Sequence, residues 1–238
     1  MIWQFWQDPL KQLEKQRQHT LVTQDIPEMA LPLFQTPLPS GELSLDQLTF
    51  VALDFETSGL NFMQDRILSI GMVEIQQQVL SLATSQHYYL SAGDAIKPET
   101  AIINHIRPEV LTLGLSEQNC LQRIIPYLAG KVIIAHCALI EKNFLKQALK
   151  LSSTTPLPLI FLDTLTLSRS LSEYWGQQTP DLRLTEIRQK IGLPAYLAHN
   201  AIADAIATGE LFLALMAKIF NSSAITLRQI IRQQGNII

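Results

Sequence analysis

Charged side chains are scarce in this sequence of 238 residues. Asp, Glu, Lys and Arg together make up 16% of it, against roughly 25% in an average globular chain. Hydrophobic residues make up 47%, and this supply of apolar side chains excludes a disordered protein. The 18 basic and 21 acidic residues leave a net charge of −3. This balance excludes a strongly basic protein that coats nucleic acid, but it permits local recognition of a nucleic-acid end.

Cysteine and long apolar runs are scarce as well. Cys120 and Cys137 are the two cysteines, too few for a disulfide framework, and no C-x-x-C pair indicates a zinc site. A reducing compartment is therefore expected, and we predict that the protein is cytoplasmic. The first residues lack the basic region and apolar run of a secretion signal. No stretch approaches the roughly 18 apolar residues of a membrane span, so no membrane contact is expected.

Proline is unevenly distributed and divides the chain. Five of the 12 prolines fall within the first 40 residues, which predicts extended or looped chain over residues 20–45. Before them, Asp8 to Gln18 is predicted to form a short helix with Asp8 as its N-cap and Pro9 at its first position. Trp3, Phe5 and Trp6 either pack on the rest of the chain or form a surface for a partner. Domain boundaries are expected at 1–46 (N-terminal extension, a short helix plus a proline-rich segment), 47–221 (main domain) and 222–238 (helical tail).

The pattern of apolar residues from residue 48 onward predicts an α/β fold. Three strands come first, with a hairpin turn at Gln76–Gln78 between the second and the third. Helices and short buried strands then alternate. This order is typical of a mixed sheet flanked by helices. The predicted strands are 48–57, 66–75, 78–90, 131–135 and 159–163, and the predicted helices are 117–128, 140–149, 184–191, 201–220 and 225–233.

The first candidate for chemistry is the D-x-E pair Asp54 and Glu56. Alternation along a strand places both carboxylates on one face at the end of an apolar segment. Two carboxylates at such a short distance repel each other unless a cation lies between them. A divalent ion, which prefers oxygen ligands, can supply this positive charge. When the pair is taken alone, a solvated strand end is the better explanation.

Two further segments carry acids at comparable places. Glu141 lies in the first turn of a helix that follows a strand, where the helix dipole alone would favour an acid. His199 precedes the long predicted helix, and Asp204 lies in the early turns of that helix. A histidine can accept a proton from water near neutral pH, and an acid five residues later can hold a metal that binds the same water. The sequence before Glu141 contains His136, which we interpret as a hydrogen-bonded loop histidine.

Together, four carboxylates and one histidine suit a site with two divalent ions, Mg²⁺ or Mn²⁺. Each acid lies at a strand end or a helix start, where ligand sites of open α/β sheets gather. In such a site one ion activates a water and the other stabilises the leaving oxygen of a phosphodiester, about 4 Å away.

The motifs LDFETSGL, PETAIINHI, IIAHCALIEKNFL, FLDTLTLSR and LAHNAIADAIATGELFLAL occur in that order over residues 47–218. This set resembles the DnaQ-like, or DEDDh, 3′–5′ exonucleases, a family that includes the proofreading epsilon subunit of bacterial DNA polymerase III. The resemblance implies a ribonuclease-H-like mixed sheet and hydrolysis of the terminal phosphodiester of single-stranded DNA or RNA. The products implied are nucleoside 5′-monophosphates.

The resemblance also implies roles for individual residues. Asp54, Glu56 and Asp204 would bind one ion, with Glu56 also near the 3′ hydroxyl. Glu141 would support the second ion, and His199 would be the general base. Positions that contact the terminal nucleotide in the family are occupied here by Thr57, Glu99 and Asn104. Asp163 matches an aspartate that is structural in the family, so we place it outside the site.

The second motif departs from the family pattern. Its acid is mostly aspartate in the family, and the extra methylene of Glu141 moves the carboxylate by roughly 1.5 Å. Cys137 and Ile140 replace an asparagine and a phenylalanine. These changes predict a preference for Mn²⁺ or slow turnover. They also leave two alternatives open: a weakly active or non-catalytic nucleic-acid-binding accessory protein of replication or repair, and an enzyme acting on small phosphate esters.

Overall fold

The fold consists of one five-stranded sheet with helices on both faces, as predicted. The computed structural model describes residues 8–91, 106–174, 181–220, 225–235 and 238. The strands are β1 (Thr49–Thr57), β2 (Ile67–Gln76), β3 (Val79–Tyr89), β4 (Val132–Ala135) and β5 (Ile160–Asp163). The helices are α1 (Pro9–Thr23), α2 (Leu31–Gln35), α3 (Pro108–Thr112), α4 (Glu117–Leu128), α5 (Leu139–Ala148), α6 (Thr164–Tyr174), α7 (Leu184–Lys190), α8 (Ala201–Ile219) and α9 (Leu227–Gln233). Single 3-10 turns lie at Glu28–Ala30 and Leu45–Gln47.

The sheet is mixed, with the strand order β3-β2-β1-β4-β5. β1 to β3 form an antiparallel meander, and β4 and β5 run parallel to β1. The predicted hairpin turn joins β2 to β3, where Gln77 and Gln78 have φ values of 48° and 60°. Left-handed backbone at two successive turn residues matches the twist of a tight hairpin. The mixed sheet and its strand order confirm the predicted fold class.

Alternating side chains along the strands build two apolar layers. On one face, Val51, Leu53 and Met72 pack with Phe34 and Phe144, so α2, α4 and α5 cover this face. On the opposite face, Ala52 and Ile75 belong to the layer that contains Leu211 and Leu215 of α8, together with residues of α6, α7 and α9. In the part of the chain that is described, no helix has the length and apolar content needed to cross a membrane.

The prediction of extended chain over residues 20–45 is wrong in part. α1 starts as predicted, with the Asp8 carboxylate accepting from the Leu10 amide at 3.1 Å, but it continues to Thr23. α2 contains Pro32 in its first turn, where the missing amide hydrogen of proline costs nothing. Leu33 and Phe34 of α2 are fully buried. The predicted aromatic surface of Trp3, Phe5 and Trp6 lies outside the described residues.

The two ends of the described chain are joined by hydrogen bonds and ion pairs. Arg228 of α9 pairs with Asp8, the N-cap of α1, and with Glu42 at 2.7 Å. Next to this pair, the Leu45 amide donates to the Ile225 carbonyl at 3.0 Å. α9 begins two residues later than the predicted helix. The first helix and the last helix of the described chain therefore lie on the same side of the molecule.

Gly71 of β2 sets the distance between α8 and the sheet. A Cβ atom at Gly71 would lie 2.1 Å from the carbonyl carbon and oxygen of Ala201, the first residue of α8. The first turn of α8 therefore rests directly on the β2 backbone. Gly209, two turns later, has a similar role, because a Cβ there would lie 3.3 Å from the Cβ of Ala52.

We expect Gly71→Ala to destabilise the protein and to lift α8 from the sheet. The added methyl group meets backbone rather than a movable side chain, so the free energy of unfolding should fall by about 1–3 kcal/mol or more. Chemical denaturation measures the loss. Gly41→Ala is the matched control, because a Cβ there meets the end of the Leu10 side chain at 2.9 Å, which can move aside. Equal unfolding midpoints for wild type and Gly71→Ala would show that α8 does not depend on this contact.

Candidate active site

The carboxylates of Asp54 and Glu56 extend from the C-terminal part of β1 toward α8. Ala52 faces α8, and residues two and four positions later point the same way. Asp54 pairs across the sheet with Gly71, the residue on which α8 rests. The helix start is thus held beside Asp54, and this contact brings the first turn of α8 to the D-x-E pair.

Three carboxylate oxygens lie within 4.8 Å of one another, one each from Asp54, Glu56 and Asp204. Ligands on opposite sides of a hard divalent cation lie about 4.2–5.2 Å apart, twice a metal–oxygen distance. None of the ion pairs among the described residues includes one of these three acids. The three oxygens therefore fit a divalent cation, and no described side chain supplies the positive charge instead.

Glu141 lies in the first turn of α5 and is 3% exposed. Its carboxylate oxygens are not part of the group of three. Its charge nevertheless raises the pKa of Asp54, and among the causes of that rise only burial is larger. The amide of Phe55, between the two β1 acids, interacts with the Glu141 carboxylate. The Oε2 atom of Glu141 is buried without a hydrogen-bond partner. A buried carboxylate oxygen without a partner is costly, and a second cation beside Asp54 would satisfy it.

Burial and mutual repulsion raise the pKa values of these acids. Burial holds the pKa of Asp54 well above its usual range, and the charges of Glu141, Asp204 and Glu56 raise it further. Burial, followed by the charge of Asp204, raises the pKa of Glu56 to about 8. Burial likewise raises the pKa of Glu141. With a pKa of about 8, Glu56 therefore retains its proton near neutral pH unless a cation is bound, as expected of a carboxylate that is buried among like charges.

Asp204 is held by residues from the loop before α8. One carboxylate oxygen accepts from the Tyr196 hydroxyl at 2.7 Å, and the other accepts from the Asn200 amide at 2.9 Å. Asn200 is also the N-cap of α8, since its side-chain oxygen accepts from the Ala203 amide at 3.2 Å. The orientation of Asp204 is thus fixed from both sides.

His199 lies in the same loop, immediately before the N-cap. Its backbone is left-handed, with φ of 63°, and its side chain is exposed. Its ring is not among the ligand atoms that lie within 4.8 Å of one another. The structure therefore gathers the four predicted acids and leaves His199 at the solvent-exposed edge of the site.

The predicted nucleotide contacts are only partly described. Thr57 follows a register shift in β1, and its hydroxyl donates to the Gly59 carbonyl at 2.7 Å. Thr57 therefore lies directly beyond Glu56, at the last position of β1. Glu99 and Asn104 lie outside the described residues.

Asp163 and His136 stabilise the turn that leads to Glu141. Asp163 accepts from the amides of Cys137 and Leu165, both at 2.9 Å. His136 bonds to the Thr164 hydroxyl and to the Leu182 carbonyl, also at 2.9 Å each. Burial lowers the pKa of His136, which favours the neutral ring. The interpretation of His136 as a hydrogen-bonded histidine agrees with this geometry.

Sequence reasoning missed Gly71 and Tyr196. Glycine within a strand is a recognised signal of close backbone approach, so Gly71 could have been found. Tyr196 has no comparable signal, because its role depends on how the loop folds back to Asp204. Arg188, the basic residue next to the Tyr196 ring, is not free for substrate, because it is buried and bonded to Glu210 at 2.7 Å.

We expect the metal-free protein to lose stability as the pH rises from about 5 to about 8. The folded state holds a proton on Glu56 up to a pKa of about 8, against an ordinary value of 4.5, so it binds more protons than the unfolded state in this range. The free energy of unfolding therefore falls with rising pH. Glu56→Gln removes this contribution and should unfold at a higher temperature than wild type at about pH 8, by about 2–4 °C for each kcal/mol.

Thermal unfolding in the presence of a chelator at three pH values tests this expectation. Glu28→Gln, which changes an exposed glutamate, is the matched control and should follow wild type. Added Mn²⁺ should reduce the loss of wild-type stability at the upper pH. Parallel pH dependences for wild type and Glu56→Gln would contradict the assignment.

Solved structures with the same fold include exonuclease I. One exonuclease I structure superposes with a TM-score of 0.63 at 18% identity, covering 72% of this chain and 41% of that protein. Exonuclease I of E. coli in complex with a dT13 oligonucleotide gives a TM-score of 0.62 at 17% identity over 74% of this chain and 43% of that one. At this level of identity the likeness shows the fold, a ribonuclease-H-like sheet with flanking helices.

Relatives with curated names include DNA polymerase III proteins. The PolC-type polymerase of Thermotoga petrophila is 30% identical over 174 residues, which are 73% of this chain and 12% of that protein. The epsilon subunit of Treponema pallidum is 28% identical over 172 residues, 72% of this chain and 78% of the relative. The chain thus spans about an eighth of the PolC-type relatives and most of the epsilon subunit.

The family model for exonucleases, RNase_T, matches residues 51–212. The match begins within β1, ends within α8 and so contains all four site acids and His199. It confirms the resemblance to DnaQ-like proteins. The chain belongs to the exonuclease family.

Proposed function

We propose that the chain is a metal-dependent 3′–5′ exonuclease that releases nucleoside 5′-monophosphates from single-stranded ends, with DNA favoured over RNA. The observation that carries the proposal is the group of buried and half-buried carboxylates that no cationic side chain in the described part of the chain neutralises. Asp54, Glu56 and Asp204 would hold one divalent ion, Mg²⁺ or Mn²⁺, and Glu141 with Asp54 would hold a second. Ions bound there would supply the charge that stabilises the leaving oxygen and would acidify the attacking water.

The chain's own residues would then orient the substrate and transfer the proton. His199, exposed at the edge of the site, would accept the proton of the attacking water. Glu56 would lie near the 3′ hydroxyl, and Thr57, Glu99 and Asn104 would contact the terminal nucleotide. Because β1 ends at Thr57, the substrate end would approach the carboxylates from beyond this strand end.

The choice of DNA rests on the relatives. They include DNA polymerase III proteins, and exonuclease I structures contain dA16 or dT13 oligonucleotides. These names also support a role in replication or repair and the predicted cytoplasmic location. A replication partner that binds the N-terminal extension stays a prediction, as do the domain boundaries at residues 46 and 221.

The accessory alternative has one specific observation in its favour, the glutamate at position 141. Against it, the charge of Glu141 raises the pKa of Asp54, and one buried oxygen of Glu141 has no hydrogen-bond partner. This arrangement costs free energy in a protein that binds no cation. We therefore favour the enzyme. The small-ester alternative has no support from the described geometry.

Oligonucleotides labelled at either end test direction and substrate together. A 3′-labelled strand should release its label as a mononucleotide at once, whereas a 5′-labelled strand should shorten progressively, and DNA should be degraded faster than RNA. Asp54→Asn keeps the volume but removes the charge that holds the ions, and should lower the rate by about 100-fold or more.

Asp25→Asn, a change at an exposed aspartate far along the chain from the site acids, is the matched control and should retain the wild-type rate. If Asp54→Asn degrades the oligonucleotide at the wild-type rate, the assignment as an exonuclease is refuted. Wild-type activity that is highest on mononucleotides would favour the small-ester alternative.

We also expect Glu141 to set the choice of metal. Mg²⁺ requires nearly ideal octahedral geometry, whereas Mn²⁺ tolerates a displaced ligand better. The wild-type rate should therefore be higher with Mn²⁺ than with Mg²⁺, and Glu141→Asp should raise the Mg²⁺ rate relative to the Mn²⁺ rate. Rates measured in each metal give the ratio, and Glu109→Asp serves as an exposed control. An unchanged ratio in Glu141→Asp would show that the longer side chain does not determine metal preference.

A further inference from the structure

Asp204 differs from the other acids of the site in how it is held. Within the part of the chain that the structure describes, it is the one site carboxylate whose two oxygens both accept hydrogen bonds, from the Tyr196 hydroxyl at 2.7 Å and the Asn200 amide at 2.9 Å. An ionised carboxylate has about four lone-pair positions. Each oxygen of Asp204 therefore keeps a lone pair after these bonds.

Tyr196 is itself fixed by Arg188 of α7. The Arg188 guanidinium lies 5.1 Å from the centre of the Tyr196 ring and is almost completely buried. It donates to the Ala207 carbonyl at 2.7 Å, to the Pro194 carbonyl at 3.1 Å and to Glu210 at 2.7 Å. One buried cation thus joins α7, the loop that carries Tyr196, and α8.

The bond between Tyr196 and Asp204 also closes the segment that contains His199. Asp204 is tied to the loop at Tyr196 and at Asn200, the residues that flank positions 197–199. Its own amide donates to the Asn200 carbonyl at 2.8 Å. The left-handed His199 therefore lies within a segment whose two ends are both bonded to Asp204.

We propose that Tyr196 is a positioning residue for the cation site: its hydroxyl fixes the rotation of the Asp204 carboxylate, so that one oxygen faces Asp54 and Glu56. This inference rests on the proposed function, because it assigns Tyr196 to the same site. Without the hydroxyl, the carboxylate keeps only the Asn200 bond and can rotate about its last torsion angle. The ion would then lose a fixed ligand, although none of its direct ligands had changed.

Tyr196→Phe tests the proposal, because it removes the hydroxyl and keeps the ring on Arg188. Partners of this kind behind a metal ligand typically change metal affinity by about 10–100-fold. We expect calorimetric titration with Mn²⁺ to give a dissociation constant at least about 10-fold higher for the variant. At limiting Mn²⁺, kcat on a DNA oligonucleotide should fall with little change in KM, and excess Mn²⁺ should restore it.

Tyr88→Phe is the matched control. The Tyr88 hydroxyl donates to Gln86 at 2.8 Å, and its β2 partner Ile70 belongs to the apolar layer opposite α8. This variant should bind Mn²⁺ as wild type does. Thermal unfolding of both variants without metal separates a loss of affinity from a loss of stability.

The possible results separate the two proposals. Equal Mn²⁺ affinities for wild type and Tyr196→Phe, or a lowered kcat that excess Mn²⁺ does not restore, would overturn the positioning role and leave the enzyme assignment intact. If wild type binds no Mn²⁺, even with oligonucleotide present, both proposals fail. Weaker binding together with restoration by Mn²⁺ supports Tyr196 as the residue that orients Asp204.

Discussion

The contact between the start of α8 and the bare backbone of Gly71 is the constraint on which the site depends. Asp204 comes from a helix, Asp54 and Glu56 come from a strand, and nearly 150 residues separate them along the chain. A helix usually packs about 10 Å from a sheet, held off by side chains on both sides. At Gly71 no side chain intervenes, and this closeness allows carboxylates from both elements to reach a common cation.

The apolar layers hold these like charges together. On one side of β1, Leu53 and Phe55 are buried in the layer beneath α5, and on the other Ala52 is buried beneath α8. Neither helix can move away from the acids without exposing that apolar surface. The core therefore maintains a local charge arrangement that is unfavourable in the absence of a cation, as is common at functional sites.

Most of the fold follows from patterns that operate over short distances. Alternation in β1 predicted that Asp54 and Glu56 share a face, and helical spacing predicted α4 at its observed bounds. α2 was missed because the prolines around it suggested a loop, yet Pro32 occupies the first turn, where proline is compatible with a helix. α6 was missed because it begins directly after β5, with Asp163 accepting from the Leu165 amide and no loop residues to mark the change.

The sequence indicated which acids form the site, but not which hydrogen bonds and contacts hold them in place. The D-x-E and H-x4-D motifs, taken together with the family resemblance that adds Glu141, pointed to the acids and the histidine without any knowledge of distances. Tyr196 and Arg188 could not be identified in that way, since each acts through a contact between separate segments. Arg188 lies in a helix with other charged residues, and only the structure shows that its charge is buried between α7, α8 and the loop.

The pairing of Asp8 with Arg228 has a consequence for how the fold forms. These two residues are 220 positions apart along the chain. Contacts of such wide sequence separation form slowly, because the entropy of closing the intervening loop must be lost before the contact stabilises anything. The junction of α1 and α9 is therefore expected to be among the last parts of the molecule to form.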